Sequence, residues 1–288
     1  MASNLEIRAL SLEEMSVPLG WAQQEGWNPG LSDAAAFWHT DPNGFIGGFI
    51  DDQAVGTISA VRYGDAFGFM GFYIVKPEFR GCGYGLQLWN AALKHLLGLP
   101  SIGLDGVVAQ QENYRMSGFS YAHRNMRFEG RPQLSQKPIG LMAGEKLVDI
   151  SEVPFKTLAE FDTQHFPTSR PNFLYDWIQQ TGHCGLAIMH GTDLCAYGIL
   201  RPCASGYKIG PLFAQTIDQA RNLIIALCQH LDANRSVYID PPAENPDAIS
   251  MMQEFEMTMV FETARMYKGS IPKLPITQIY GITTFELG

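Results

Sequence analysis

The sequence carries little charge for its length, and most of that charge is negative. Charged residues make up 17% of the 288 positions, against about 25% in average soluble domains. Asp and Glu together number 29 and Lys and Arg 20, which gives a net charge of −9. Because nucleic-acid binding needs a basic face, this balance argues against DNA or RNA as a partner. The negative charge weakly favours an amine or other cationic substrate, which it would attract, but plain solubility is the better explanation of the charge.

Cysteine and long apolar runs are also scarce. The five cysteines form no Cys-x-x-Cys pair, so we expect reduced thiols, with neither a disulfide framework nor a zinc or other metal site. No run of about 18 uncharged apolar residues occurs, and no basic segment followed by an apolar stretch opens the chain, so we expect no membrane span and no secretory signal. These absences predict a cytoplasmic protein. Hydrophobic residues make up 46% of the chain, which is ample for packed cores.

Glycine is concentrated in one short turn that organises the first half of the chain. Phe69–Val75 is an apolar run of strand length, rich in aromatic and β-branched residues. Gly81, Gly83 and Gly85 follow in alternate positions, and apolar residues then recur at helical spacing over residues 86–97. Backbone N–H groups of such a turn can converge on an anion at the positive end of the helix. The pattern therefore predicts binding of a phosphate or pyrophosphate.

Two common phosphate-binding fingerprints do not fit this turn. The dinucleotide fingerprint needs Gly-x-Gly-x-x-Gly and an acidic residue about 20 positions on, whereas the spacing here is Gly-x-Gly-x-Gly and Asp105 is a poor match. The Gly-Lys-Ser/Thr of a P-loop is missing. The segment does resemble the acyl-CoA-binding motif of GNAT acyltransferases, Arg/Gln-x-x-Gly-x-Gly/Ala, with Arg80, Gly83 and Gly85 in the defining positions. The alternative is an ordinary strand–turn–helix with glycines for packing.

The resemblance implies where acyl-CoA binds, with acetyl-CoA as the expected donor and no metal. It assigns the CoA pyrophosphate to Arg80 and to the turn residues Gly81, Cys82, Gly83, Tyr84 and Gly85. It also implies that the pantetheine arm pairs with the strand edge formed by Tyr73, Ile74 and Val75.

The family often has a catalytic Tyr four residues before a Gly-Phe pair, and this chain has Tyr114 before Gly118 and Phe119. A phenol with a pKa near 10 can protonate a leaving thiolate without acting as a base at neutral pH. The alternative is a Tyr packed on CoA or in the core. Asn113 is a neighbour that could hydrogen-bond the pantetheine.

The same resemblance places the acceptor site in the loop that begins at Glu25. Trp27 could flank an amine, with Glu25, Asn28 or Asp33 binding its charge; the alternative is a connecting loop with Trp27 in the core. Asp240 follows the fifth strand of the second half, where open α/β sheets place ligands, and a turn with a helix cap explains it equally well. The general base stays unassigned, and a chain of waters could serve instead; the candidates are Glu25, Asp33, His39, Asp65, His123, His165 and Asp240.

The order of the predicted elements indicates a mixed-sheet α+β fold that occurs twice. Residues 1–130 read as strand, two helices, three strands, helix, strand, helix and strand, which is the order of the GNAT fold. Residues 145–288 repeat it, and Gly48–Val75 aligns without gaps onto Ala187–Ala214 at an offset of 139, with Gly71 on Gly210. Residues 131–144, rich in Pro, Gln and Gly, predict a linker.

The second copy is predicted to be degenerate. After its fourth strand, residues 214–219 read AQTIDQ and contain no glycine. We therefore expect no CoA there, and a role in completing the substrate cleft or stabilising the first domain. The whole chain resembles bacterial tandem-GNAT proteins, which implies an N-acetyltransferase, with a small-molecule amine as the expected acceptor. The alternatives are a non-catalytic acyl-CoA sensor and a protein lysine or N-terminal acetyltransferase, and the oligomeric state is left open.

Overall fold

Two series of strands and helices follow one another in the computed structural model, which describes residues 5–132, 140–229, 231–232 and 234–288. The first series consists of β1 (Glu6–Ala9), α1 (Ser16–Gln24), α2 (Asp33–Thr40), β2 (Phe45–Ile50), β3 (Gln53–Tyr63), β4 (Phe67–Val75), α3 (Tyr84–His95), β5 (Ser101–Val107), α4 (Gln111–Met116) and β6 (Ser120–Gly130). The second consists of β7 (Glu145–Asp149), α5 (Phe155–His165), α6 (Pro171–Trp177), β8 (Cys184–His190), β9 (Asp193–Pro202), β10 (Tyr207–Ala214), α7 (Ile217–Cys228), β11 (Val237–Ile239), α8 (Pro246–Glu254), β12 (Thr258–Gly269) and β13 (Ile279–Gly281).

The predicted α+β architecture with two tandem copies is confirmed. β2, β3 and β4 correspond to β8, β9 and β10, as the constant offset between the halves indicates. β3 and β9 are buried on both faces over most of their length, which explains why their sequences are nearly continuous apolar runs. No helix in the described part of the chain is long and apolar enough to cross a membrane.

Helices of both halves pack together on one face of the sheet. α2 contacts α6, and the ring of Phe37 stacks on that of Trp177 with centroids 5.9 Å apart. α3 covers β2, β3 and β4, whereas α7 covers the equivalent strands β8, β9 and β10. The molecule therefore has a central core shared by the halves and an outer core under each of these two helices.

A single sheet runs through both halves because they exchange their last long strands. The strand order is β1-β2-β3-β4-β5-β12-β6-β11-β10-β9-β8-β7, with β13 paired to β10. β12, from the second series, pairs antiparallel with both β5 and β6, and β6, from the first series, pairs with β11. The exchange gives the fifth strand of each half a partner from the other half, so neither leaves an open edge.

This exchange corrects the expectation that the first fold is complete within residues 1–130. The break at residues 131–144 separates the two series along the sequence, but the sheet does not divide there. Part of that predicted linker, residues 133–139, lies outside the described residues. No local pattern in the sequence distinguishes β6 from β12 as a partner for β5, since both are long strands at the end of a similar series.

The C-terminal segment, residues 276–288, crosses from the second half back to the first. β13 pairs with β10, and the Ile282 N–H donates to the carbonyl oxygen of Asp240 at 3.0 Å. Further on, the hydroxyl of Tyr63 donates to the carbonyl oxygen of Leu287 at 3.0 Å. The segment is buried from Ile279 to its end. Residues near position 286 are thereby brought against β4.

Candidate active site

A cavity opens where β4 and β5 separate. The two strands pair in parallel only over Gly68–Met70 and Ile102–Leu104. Beyond that point β4 contains a bulge, since Thr57 lies opposite Ile74 and Ser59 opposite Gly71. Bulges bend the strand that contains them and end regular pairing. The resulting cavity has a volume of about 460 Å³ and is lined by residues of both halves.

Most of the residues predicted to bind the cofactor line this cavity. They are Tyr73, Ile74, Val75, Arg80, Gly81 and Gly85. Residues 71–75 of β4 have no ladder partner on β5. Apart from the Val75 carbonyl oxygen, which accepts from Arg80, backbone groups on that edge are available to an extended ligand. The pantetheine arm of CoA fits such an edge, as the resemblance to the GNAT motif implies.

The glycine turn leaves the start of α3 unblocked. Gly81 and Gly83 have φ values of 78° and 80°, in the left-handed region that favours glycine, and a Cβ built on either meets no atom within 4 Å. Gly83 is the residue that precedes α3, and no side chain caps the helix. The N–H groups of the first turn are therefore free to bind an anion. Cys82, Gly83 and Tyr84 shape this turn but are not among the residues lining the cavity.

Arg80 holds the turn against the end of β4. Its Nε donates to the carbonyl oxygen of Val75 at 2.8 Å, and its Nη2 lies 3.3 Å from a carboxylate oxygen of Glu25. Both charged side chains are about half exposed, at 56% and 45%, so this ion pair contributes little to stability. It joins the predicted cofactor turn to the loop predicted to bind the acceptor.

Tyr114 lies in the cavity with its ring fixed by packing. The ring stacks on Trp89 with centroids 5.7 Å apart, and a Cβ built on Gly106 would lie 2.1 Å from it. Burial raises the pKa of Tyr114 to about 12, so the phenol keeps its proton at neutral pH. Asn113 does not line the cavity; its side-chain amide donates to Gln110 Oε1 at 2.5 Å, and Gln110 does line it.

The predicted acceptor residues divide into two groups. Glu25 and Trp27 line the cavity, whereas Asn28, Asp33 and Asp240 do not. The side-chain amide of Asn28 donates to the carbonyl oxygen of Ser205 at 2.8 Å, and its oxygen accepts from the Ser205 N–H at 3.0 Å. Asn28 therefore ties the loop to the second half, which corrects its predicted role in substrate binding.

Asp33 and Asp240 are buried in ion pairs and are likewise corrected. Both are 1% exposed. Arg201 Nη1 lies 2.6 Å from Asp33, and Arg127 donates from Nε and Nη2 to Asp240 at 2.8 and 2.7 Å. Each pair joins the two series, and neither carboxylate is free to meet a ligand. Sequence alone does not reveal these partners because each lies more than a hundred residues away.

Among the seven candidates for the general base, Glu25 alone lines the cavity. His39 lies at the surface 2.9 Å from Asp176. His123 and His165 face a separate small void, and burial lowers the pKa of His123 to about 3. A histidine with so low a pKa is a weak base, and this one lies outside the cavity.

Sequence reasoning missed the whole part of the cavity wall that comes from the second half. Phe261, Thr263, Phe285 and Glu286 complete the cavity wall. Glu286 is only 2% exposed, and neither of its carboxylate oxygens has a hydrogen-bond partner in the described part of the chain. These positions reach the cavity only through the exchange of β12 and the return of the C-terminal segment.

The equivalent place in the second half is closed. β10 and β11 pair over Tyr207–Ile209 and Val237–Ile239 and then separate, but β13 enters the gap and pairs with β10 at Leu212 and Phe213. α7 begins with a capping box, in which Thr216 Oγ1 accepts from the Gln219 N–H and Gln219 Oε1 accepts from the Thr216 N–H. Both features that make the first half receptive to a ligand are absent from this described region.

Family models of known proteins match each half of the chain separately. The model of the acetyltransferase (GNAT) family matches residues 7–119, and that of an acetyltransferase (GNAT) domain matches residues 158–281. Holothin acyltransferase of Pseudoalteromonas sp. (strain SANK 73390) is 31% identical over 279 residues, which cover 96% of this chain and 92% of that protein. The chain belongs to the tandem GNAT acyltransferases.

Solved structures share the tandem GNAT fold. A Pyrococcus horikoshii protein proposed to be an acetyltransferase superposes with a TM-score of 0.81 at 22% identity, covering 99% of this chain and 96% of its own. A tandem GNAT protein from the clavulanic acid biosynthesis pathway superposes with a TM-score of 0.64 at 12% identity, covering 94% and 100%. At these identities the likeness establishes the GNAT fold of both halves and nothing finer.

Proposed function

We propose that this GNAT acyltransferase moves an acetyl group from acetyl-CoA to the amino group of a small molecule. The observation that carries the proposal is the continuity of one cavity. It joins the uncapped glycine turn and the unpaired edge of β4 to a wall supplied by the second half. A donor held along the turn and the strand edge would present its thioester inside the same cavity that receives the acceptor.

The chain's residues divide the donor's chemistry between them. The backbone N–H groups of residues 81–85 would hold the CoA pyrophosphate at the positive end of α3, with Arg80 fixing the turn. The edge of Tyr73–Val75 would hydrogen-bond the pantetheine. The amine nitrogen attacks the thioester carbonyl, the new C–N bond forms and the C–S bond breaks. Tyr114 gives its hydroxyl proton to the leaving thiolate, and a proton lost by the nitrogen restores the phenol.

The shape of the cavity favours a small acceptor over a protein. Phe261 and Phe285 close one side of it, and both belong to the second half. A lysine on a folded protein or an N-terminal peptide would need an open groove beside β4. The relative named for holothin suggests that compound as one acceptor to test.

Calorimetry and a thiol-release assay test the proposal together. We expect acetyl-CoA to bind the full chain with micromolar affinity at one site, and holothin or another small amine to cause release of free CoA. Longer acyl-CoAs in the same assay establish the acyl preference. No binding of acyl-CoA would refute acyl transfer, whereas binding without thiol release from any amine would establish the sensor alternative. Faster release with a lysine peptide than with small amines would establish a protein acceptor.

A further inference from the structure

Three carboxylates line the cavity, and only one of them lacks a cationic partner. Glu25 lies beside Arg80 at the mouth. Asp105 accepts from Nε and Nη2 of Arg265 at 2.7 and 2.6 Å and from the Asn125 amide at 2.9 Å. Neither side-chain oxygen of Glu286 has a hydrogen bond in the described part of the chain, and the residue is more than nine-tenths buried. A buried carboxylate in that condition is costly unless a ligand satisfies it.

Buried charged groups near Glu286 influence it without pairing with its carboxylate in the described part of the chain. Arg127 and Arg201 form buried ion pairs with Asp240 and Asp33, and the buried Lys208 donates to the carbonyl oxygen of Asn28 at 3.0 Å. Burial lowers the pKa of Lys208, and the negative charge of Glu286 acts in the opposite direction. Three cations face two aspartates in this cluster, so an ionised Glu286 balances its charge.

Other buried polar atoms beside Glu286 also lack partners among the described residues. They are Ser59 Oγ and Thr263 Oγ1. A Cβ built on Gly71 would lie 2.2 Å from the carbonyl oxygen of Glu286 and 3.0 Å from Ser59 Oγ. Glu286 and Ser59 therefore approach each other at the β4 bulge. Thr263 lines the same cavity, together with the aromatic rings of Phe261 and Phe285. A carboxylate and a hydroxyl beside aromatic rings on this wall suit an amino group carried on an apolar body.

We propose that Glu286 binds the ammonium group of the acceptor and then removes its proton, as the general base of acyl transfer. This role rests on the proposed function. The acceptor nitrogen gives one proton to a Glu286 oxygen, and its freed electron pair forms the C–N bond to the acetyl carbon. The C–S bond of the thioester breaks, and the thiolate takes the proton of Tyr114. The acylated nitrogen then gives its remaining extra proton to the Tyr114 oxygen, and the proton on Glu286 passes to solvent, so both residues return to their starting states.

The test replaces the carboxylate with an amide of the same shape. The full-length chain and its Glu286→Gln variant are compared with acetyl-CoA and four probe amines: tyramine, tryptamine, histamine and spermidine. We expect kcat to fall at least about 100-fold, because general bases contribute about 10²–10⁴-fold, while the Kd for acetyl-CoA stays within about twofold. Glu262→Gln, a matched change outside the cavity, is expected to leave kcat unaltered.

Two further measurements separate a base from a structural residue. In the variant, kcat/KM should keep rising about tenfold per pH unit up to the pKa of the free amine, whereas the wild-type value levels off earlier. Formate added to Glu286→Ala should restore part of the lost rate, which a packing defect would not allow.

Each outcome decides between the role of Glu286 and the function on which it rests. The role of Glu286 would be overturned, with acyl transfer left intact, by any of three results. These are an unchanged kcat in Glu286→Gln, a change confined to KM, or loss of acetyl-CoA binding in both Glu286→Gln and Glu286→Ala. A wild type that binds acetyl-CoA but acetylates none of the four amines would instead refute the proposed transfer to small amines, and the role of Glu286 with it.

Discussion

The two halves fold alike up to the point where their fourth and fifth strands separate. They differ in what occupies the space between those two strands. Between β10 and β11, the chain supplies its own strand, β13, to pair with β10. Between β4 and β5, residues 71–75 keep an edge without a ladder partner on β5, and a cavity remains. Because unpaired backbone groups are costly when buried, a splayed sheet needs either a strand or a ligand. The second copy uses a strand, and the first copy leaves a cavity that a ligand can occupy.

The same C-terminal segment touches both halves at equivalent glycines. A Cβ on Gly71 would lie 2.2 Å from the carbonyl oxygen of Glu286, and one on Gly210 would lie 2.6 Å from that of Thr283. Any larger residue would force the segment away from either strand. The alignment of Gly71 with Gly210 thus reflects close backbone approach in both copies.

The helices that follow the fourth strands, α3 and α7, also differ at their N-termini. α3 starts after an uncapped glycine, whereas the first turn of α7 is satisfied by Thr216 and Gln219. Side-chain caps and bound anions compete for the same N–H groups. A capping box and a phosphate site are therefore alternative uses of one position in the fold.

The most damaging change should be Gly83→Trp, which fills the turn of the open copy. We expect no measurable binding of acetyl-CoA by calorimetry and no thiol release, since the indole would occupy the space used by the pyrophosphate. Gly191→Trp is the matched control, because Gly191 also has a positive φ, of 61°, and open space around it, in the β8–β9 turn. Equal losses in both variants would mean that backbone strain, not the turn, is responsible.

Asp240→Ala tests whether the closed copy has a structural carboxylate or a substrate ligand. Removing it leaves Arg127 buried and unpaired, so we expect the free energy of unfolding in urea to fall by about 3–5 kcal/mol. Replacing both partners with Leu should cost less. A change in KM with full stability would restore the substrate-binding interpretation.

The pH dependence of that loss has a definite sign. Burial by itself would raise the pKa of Asp240, but Arg127 outweighs it and holds the pKa below its ordinary value. The stabilisation is therefore present above about pH 4 and disappears as the pH falls through the folded-state pKa. The difference between wild type and Asp240→Ala in urea unfolding should shrink over that acidic range.

Tyr114→Phe removes the proposed proton donor of the open copy and leaves its packing. We expect kcat to fall about 10- to 100-fold, or about 1.4–2.7 kcal/mol, with the Kd for acetyl-CoA unchanged. Tyr280→Phe is a control in the closed copy, since burial also raises the pKa of Tyr280 to about 12. With a pKa of about 12, Tyr114 should cause no loss of rate up to pH 10. Equal effects in the two variants would contradict the role of Tyr114.

The smallest effect is expected from Thr216→Ala, which removes the cap of α7. Loss of such a cap costs about 1 kcal/mol of stability, measurable by thermal unfolding. The stoichiometry of acetyl-CoA binding should remain one per chain, because β13 still fills the second gap. A second binding site in this variant would show that the capping box alone closes that copy.

Local pattern in the sequence is sufficient for the elements and for the cofactor turn. The strand predicted at Phe69–Val75 is observed at Phe67–Val75, since its apolar run and the proline after it leave little alternative. The turn at residues 81–85 is recognisable because glycine is required at positive φ. Both features depend on residues close together in sequence.

What local pattern does not contain is the identity of distant partners. Asp33 reads as an available carboxylate until Arg201, 168 residues away, is brought to it. Glu286 stands in a stretch with no helical or strand periodicity, so only the path of the chain across β4 reveals its position. The strand exchange cannot be predicted from local pattern for the same reason. β6 and β12 are both long strands at the end of a series, and only the folded structure shows which of them pairs with β5.

The exchange of strands also dictates when the protein can finish folding as it is made. β5 emerges from the ribosome long before its partner β12, and the Asp105–Arg265 ion pair between them spans 160 residues. At about 5–20 residues per second, that strand edge waits about 8–30 s for its partner. A nascent first half is thus exposed to mispairing with other chains throughout that interval. The cavity is completed only after Phe285 and Glu286 have been synthesised.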